Sequence, residues 1–195
     1  MNNKIILASR SEVRKEILIK NKIMCEVIPA DIDEDEVKKS LLSEGANPTL
    51  ISKNLAELKS IKISRRMPNR IVLGADSVID LNKELISKPK NRNEAINILN
   101  KLNGKSHNLT SSVCISKNGS MIWNFTETST LTMKKLNLDE IKSYLENIKD
   151  KELYSYGVYQ IEASGRSLFS KIIGDEDNVM GLPIKNVKRY LDSIK

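Results

Sequence analysis

The stretch Arg70-Ile71-Val72-Leu73-Gly74-Ala75-Asp76-Ser77-Val78-Ile79-Asp80 constrains the fold more than any other part of this chain. Its apolar, β-branched ends read as a buried strand. Gly-Ala-Asp-Ser interrupts that strand in the middle, where glycine and aspartate are poor strand formers. A Gly-Ala pair lets a ligand or another backbone come close. A carboxylate among apolar neighbours is costly without a metal, a hydrogen-bond network or a catalytic task. The residues alone leave two readings open, a bulge or turn stabilised by Asp76 or a functional site.

The flanking pattern is that of an α/β fold. Lys4 to Ala8 reads as a buried strand, Ser9-Arg10-Ser11 as a turn, and Glu12 to Ile19 as a helix with Ser11 at its N-cap. A strand that runs through hydroxyls into a helix N-terminus makes an anion site, and Arg14 one turn later adds a fork of donors. An ordinary capped helix with an exposed arginine fits the same spacing. Glu26 to Ile32 predicts another short strand. The five carboxylates within Asp31–Glu36 either hold a divalent cation or start a solvated helix. Pro48 opens a long helix whose stripe runs Ile51, Leu55, Leu58, Lys62, with Lys59 beside it.

Further on, Asn82-Lys83 marks a hairpin tip, and Lys88 precedes Pro89, which predicts an extended backbone there. Asn91 with Glu94 caps a helix over Ala95, Ile98, Leu99 and Leu102 that Gly104 ends. Strands over 109–116 and 121–125 flank the hairpin signal Asn118-Gly119, and a separate strand is expected over 127–134. Asn137 with Glu140 caps another helix. Tyr156, Tyr159 and Glu162 are candidates to line a base pocket, although tyrosines beside glycine also serve as packing. Residues 172–183 read as a loop, and 184–194 as a closing helix.

The chain has 195 residues, 39% hydrophobic and 29% charged, enough for one domain with a real core. No apolar run reaches the roughly 18–20 residues that cross a bilayer, and no signal-peptide pattern opens the chain, so a cytoplasmic protein is expected. Cys25 and Cys114 show no zinc or disulfide pattern and read as small apolar residues. His107 is the single histidine, which excludes mechanisms needing two; its plain reading is structural. The net charge of +7 favours anionic partners. No Lys/Arg block is present and only eight aromatics are available, so no motif supports nucleic acid.

Six elements then occur in a familiar order: Ser9-Arg10-Ser11…Arg14, Asp33-Glu34, Gly74-Ala75-Asp76-Ser77, Ser87-Lys88-Pro89, Gly157-Val158-Tyr159…Glu162, and Gly174-Asp175…Asn178-Val179-Met180-Gly181-Leu182-Pro183. Across almost its whole length the chain resembles the Maf family of nucleoside triphosphate pyrophosphatases. The resemblance implies a mixed twisted sheet with flanking helices, a single domain over 1–195 with two lobes around a central cleft, and a shape shared with ITP/XTP pyrophosphatases. It implies a house-cleaning enzyme that releases pyrophosphate from a modified nucleoside triphosphate, a divalent cation (Mg²⁺ or Mn²⁺), and a homodimer. Carried onto matching positions, Asp76 is the general base, Ser9, Ser11, Arg14, Lys59 and Lys88 bind the triphosphate, and Glu34 with Asp76 places the metal.

These residue types suit the chemistry, because a triphosphate carries about four negative charges that Lys, Arg and metal must neutralise. A cation beside a carboxylate makes a nucleophile from water without histidine. Two departures stand out. Glu12 and Val13 replace the family's Pro and first Arg, and Arg10 is the candidate to compensate. Glu162 stands where members acting on dTTP and UTP carry Gln, which resembles the 7-methyl-GTP branch, and a carboxylate suits donors on a guanine edge. Substrates of the dTTP/UTP or ITP/XTP type, or a non-catalytic nucleotide-binding or nucleic-acid-binding regulator of cell division, are the alternatives.

Overall fold

The computed structural model describes residues 4–161 and 163–194. Its strands form a seven-stranded mixed sheet in the order β2-β1-β3-β5-β6-β7, with β4 paired to β3. The chain divides into two compact units, one of residues 1–78, 110–128 and 175–195 and the other of residues 79–109 and 129–174.

In the first unit β1 (Ile5–Leu7) pairs in parallel with both β2 (Cys25–Val27) and β3 (Val72–Leu81). Parallel strands are covered on both faces, which explains the unbroken apolar run of β1. Side chains alternate across it. Ile5 and Leu7 join a core with Ile17, Leu18, Leu73, Ala75 and Val187, whereas Ile6 and Ala8 join Ala30, Ile63 and Val72. Helix α1 (Glu12–Lys20) packs on the first of these cores through Ile17 and Leu18, and Val13 packs beside them.

Two helices follow β2. Asp33 caps α2 (Glu34–Ser43), accepting the Glu36 N–H at 3.0 Å, so the acidic cluster is a helix start. Asn47 caps α3 (Pro48–Arg66) in the same way at 2.8 Å. The buried face of α3 holds Ile51, Ser52, Leu55, Ala56, Lys59, Ser60, Ile63 and Ser64. The stripe expected through Leu58 and Lys62 is therefore corrected by one position: Leu58 is 41% exposed and Lys59 takes the inward place. The phase slips because lysine's apolar stem can lie along a core while its charge meets a partner. Strand β3 is also continuous through Gly-Ala-Asp-Ser, with no turn at Asp76. A Cβ on Gly74 would lie 2.2 Å from the Ala56 carbonyl oxygen and 2.7 Å from the Ser60 nitrogen. The interrupted propensity thus marks close approach of a second backbone, that of α3.

In the second unit β3 turns through Asn82 and Lys83, both at positive φ, into β4 (Glu84–Ile86). Helix α4 (Arg92–Leu102) is capped by Asn91, and α5 (Leu138–Glu146) by a full Asn137/Glu140 capping box. Arg92 closes the far end of α5 by donating to the Leu145 and Ile148 carbonyls, each at 2.8 Å. Helix α6 (Asp150–Tyr156) falls where no helix was expected. Strands β5 (Ser106–Lys117) and β6 (Ser120–Met133) run through both units and join at Asn118-Gly119. The strand expected over 127–134 is the continuation of β6. The segment 172–183, expected as a loop, instead holds the end of β7 (Phe169–Ile173) and α7 (Glu176–Val179), and α8 (Ile184–Ser193) closes the chain. No described helix is long and apolar enough to cross a membrane.

Candidate active site

The first unit gathers Ser9, Ser11, Arg14, Glu34, Lys59 and Asp76. Two clusters form, both resting on β3.

The first cluster is built around Arg14. Ser11 caps α1 by accepting the Arg14 N–H at 3.3 Å, and Ser9 Oγ accepts the Ser11 N–H at 3.2 Å. The Arg14 guanidinium then makes four contacts: Nη1 to Ser9 Oγ at 3.1 Å and to the Ala75 carbonyl at 3.0 Å, Nε to the Gly181 carbonyl at 2.9 Å, and Nη2 to Ser77 Oγ at 3.0 Å. A guanidinium has five N–H donors, so protein takes all but one. Burial lowers the Arg14 pKa from its ordinary value, and the nearby charges of Asp76 and Glu34 act the other way. Ser77 passes the chain on. Ser111 Oγ donates to the Asn178 carbonyl at 2.9 Å, so the 2.9 Å contact between Ser77 and Ser111 has Ser77 as donor. Gly181 sits at φ +96°, and a side chain there would come within 3.1 Å of Ser77 Oγ and 3.4 Å of the guanidinium. Only glycine gives both the backbone conformation and the space.

The second cluster is an ion triad. Lys59 Nζ lies 2.7 Å from Asp76 Oδ1 and 2.6 Å from Glu34 Oε1, with Lys59 8% and Asp76 4% exposed. Ser52 Oγ donates to the Asp76 carbonyl at 3.1 Å and ties α3 to β3 beside the triad. Asp76 Oδ2 is buried and has no hydrogen-bond partner among the described residues. That is an expensive state for a carboxylate oxygen, and it leaves one acceptor on the base candidate while the other is fixed. No group of three or more His, Cys, Asp or Glu side chains suited to a metal exists among the described residues. The Glu34 and Asp76 carboxylates, which meet the same ammonium, are the hard oxygen donors at hand. Such a pair fits Mg²⁺ or Mn²⁺, which commonly take one or two carboxylates and complete their shell with phosphate oxygens and water.

The other candidates stand each in its own surroundings. Lys88 belongs to the second unit, exposed between β4 and α4. Glu162 and the Tyr156 side chain lie outside the described residues. Tyr159 packs inside the second unit: its hydroxyl meets His107 Nε2 at 2.8 Å, and its ring is edge-on to Phe169. Arg10 pairs with Asp31 at 2.7 Å on the surface, both side chains well exposed. Ser77 and Gly181 are the Arg14 partners that residue-by-residue reading missed. Both lie inside strings already singled out, Gly74–Ser77 and Asn178–Pro183.

A nucleoside triphosphate pyrophosphatase of Pelagibacter ubique (strain HTCC1062) is 60% identical over 195 residues, all of both chains. A 7-methyl-GTP pyrophosphatase of Brucella abortus is 36% identical over 94% of this chain and 92% of its own. Among solved structures, the Staphylococcus aureus Ham1 protein aligns with 98% of this chain and 100% of its own at TM-score 0.44 and 16% identity. The family model for Maf-like protein matches residues 4–194, and with it the turn, the triad and the Gly181 loop fall within one matched span. The chain belongs to the Maf-like protein family.

Proposed function

We propose that this chain hydrolyses a nucleoside triphosphate to the monophosphate and pyrophosphate, with Asp76 as general base, a divalent cation bound by Glu34 and Asp76, and 7-methyl-GTP as the preferred substrate. The pyrophosphatase class is supported by family membership and by the name of the 60% identical relative. The preference for 7-methyl-GTP is supported by the name of the Brucella abortus relative.

The observation that carries the catalytic assignment is the state of Asp76. Lys59 fixes Oδ1, and Oδ2 is buried with no partner among the described residues. A water bound to Oδ2 gives up its proton there as its oxygen attacks at the α–β anhydride. The bridging bond breaks, and pyrophosphate leaves. Lys59 holds Asp76 and Glu34 in place through its two ion pairs, and the turn at Ser9 with the α1 N-terminus presents backbone N–H groups to phosphate. The cation, when bound, supplies charge neutralisation to the phosphates and acidity to water.

Pyrophosphate release is measured with Mg²⁺ or Mn²⁺ on 7-methyl-GTP, UTP, dTTP, ITP and the ordinary nucleotides, for the wild type and Asp76→Asn. We expect 7-methyl-GTP to lead and the variant to lose about 10²–10⁴-fold in turnover. Another leading nucleotide removes the substrate assignment alone. Undiminished turnover in the variant removes Asp76 as base.

A further inference from the structure

The first unit holds a second concavity at the other end of its parallel strands. A pocket of about 710 Å³ is lined by the residues that enter β1 (Lys4, Ile5), β2 (Met24) and β3 (Arg70, Ile71). Ser9 and Glu34 follow the opposite, C-terminal ends of β1 and β2, the edge where open α/β sheets place their reacting ligands. The pocket belongs to neither cluster of the active site.

Its lining has a distinct chemistry. Lys4, Lys22, Arg70, Lys117 and Lys188 converge on it from five separate segments, against the single carboxylate Asp192. Arg70 pairs with Glu26 at 3.2 Å. No ion pair involves Lys4, Lys22, Lys117 or Lys188 among the described residues, and the lining carries more basic than acidic side chains. Lys22 also occupies the position after the α1 C-cap at φ +61°, where glycine is the inexpensive choice, and so keeps an ammonium at the rim. The remaining wall is apolar. Ile5 and Leu191 are buried beneath it, while Met24, Ile122 and Ile194 stay well exposed around it. Exposed apolar surface beside several cations recommends a ligand with an apolar body and an anionic head.

We infer that this pocket is a binding site for a soluble amphiphilic anion, an apolar body carrying phosphate. The volume lies within the range of small-molecule sites, roughly 300–1,000 Å³. Its concavity favours a single dissolved molecule over a flat bilayer, and the excess of cations opposes a second copy of the same face.

The protein carries its own reporter. Trp123, the single tryptophan, neighbours Ile122 of the lining and stacks on Tyr190, itself next to Leu191. Decyl phosphate, kept monomeric, is titrated against the full chain in the presence of saturating tripolyphosphate, which occupies the catalytic anion site, and Trp123 emission is followed. Saturable one-to-one binding is expected, weakened at least about tenfold in Lys22→Glu/Lys188→Glu. Pyrophosphate release and circular dichroism of that variant are expected to match the wild type, which separates lost binding from lost folding. Lys22→Gln/Lys188→Gln, which adds no repulsion, is expected to fall between the two. Equal affinity in all three proteins overturns the site. So does binding to phosphatidylglycerol vesicles with none to the monomer, which would identify a membrane contact instead.

Discussion

The two units each bury a polar group that their cores cannot ignore, and they treat it in opposite ways. In the first, Lys59 is held between two carboxylates, with one Asp76 oxygen left without a partner among the described residues. In the second, His107 is held neutral. Burial pulls its pKa down to about 4, Tyr159 takes one ring nitrogen, and the rings of Tyr159 and Phe169 lie tilted against it. The Tyr159 hydroxyl is pushed upward by burial, so that contact stays uncharged across the physiological range. Charged groups with an acceptor to spare can bind and move protons. The His107–Tyr159 pair is neutral, and it too leaves one buried atom, His107 Nδ1, without a partner among the described residues.

Removing the central ammonium tests the first half of this contrast most severely. Lys59→Met leaves two carboxylates without their shared partner and is expected to cost about 3–5 kcal/mol of stability, read by urea unfolding. Acidification tests the second half. The folded His107 takes a proton only near pH 4, whereas the unfolded one does so near 6.5, so the unfolded chain holds more protons between those values. Stability from this residue is complete above about pH 6.5, falls as the pH drops to about 4, and levels off below, a loss of about 3 kcal/mol. His107→Gln should flatten that part of the pH–stability curve. An unchanged slope would show that the ring is not held neutral.

Smaller effects sharpen the comparison. Gly74→Ala drives a Cβ into the α3 backbone and should cost about 1–3 kcal/mol while lowering turnover, because α3 carries Lys59. Melting and pyrophosphate release should therefore fall together. Tyr159→Phe removes the partner of His107 and should cost about 1 kcal/mol without changing KM for the nucleotide. A raised KM would return Tyr159 to the list of residues near the base.

What the sequence revealed follows the range of the forces involved. The caps at Ser11, Asn91 and Asn137 were legible because a side chain and an N–H three residues away settle them locally. The continuity of β3 was not, because Gly74 weakens a strand by propensity and only contact with α3 explains it. Glu34 could not be told from its acidic neighbours in the 31–36 cluster. Its distinction is the reach to Lys59, a contact between α2 and α3. The Arg14 clip was invisible for the same reason, since its acceptors at Ala75, Ser77 and Gly181 lie 61 to 167 residues away along the chain.

The narrow seam between α3 and β3 has a consequence for sequence drift. Lys59 has a fixed reach, so the length of its stem acts as a ruler laid between helix and strand. Ala56, Ser60 and Gly74 set the gap that the ruler spans, although none of the three is a candidate to touch phosphate. Enlarging any one of them alone lengthens the gap and pulls the ammonium away from Asp76. Viable descendants should therefore change these positions in compensating sets or leave them alone.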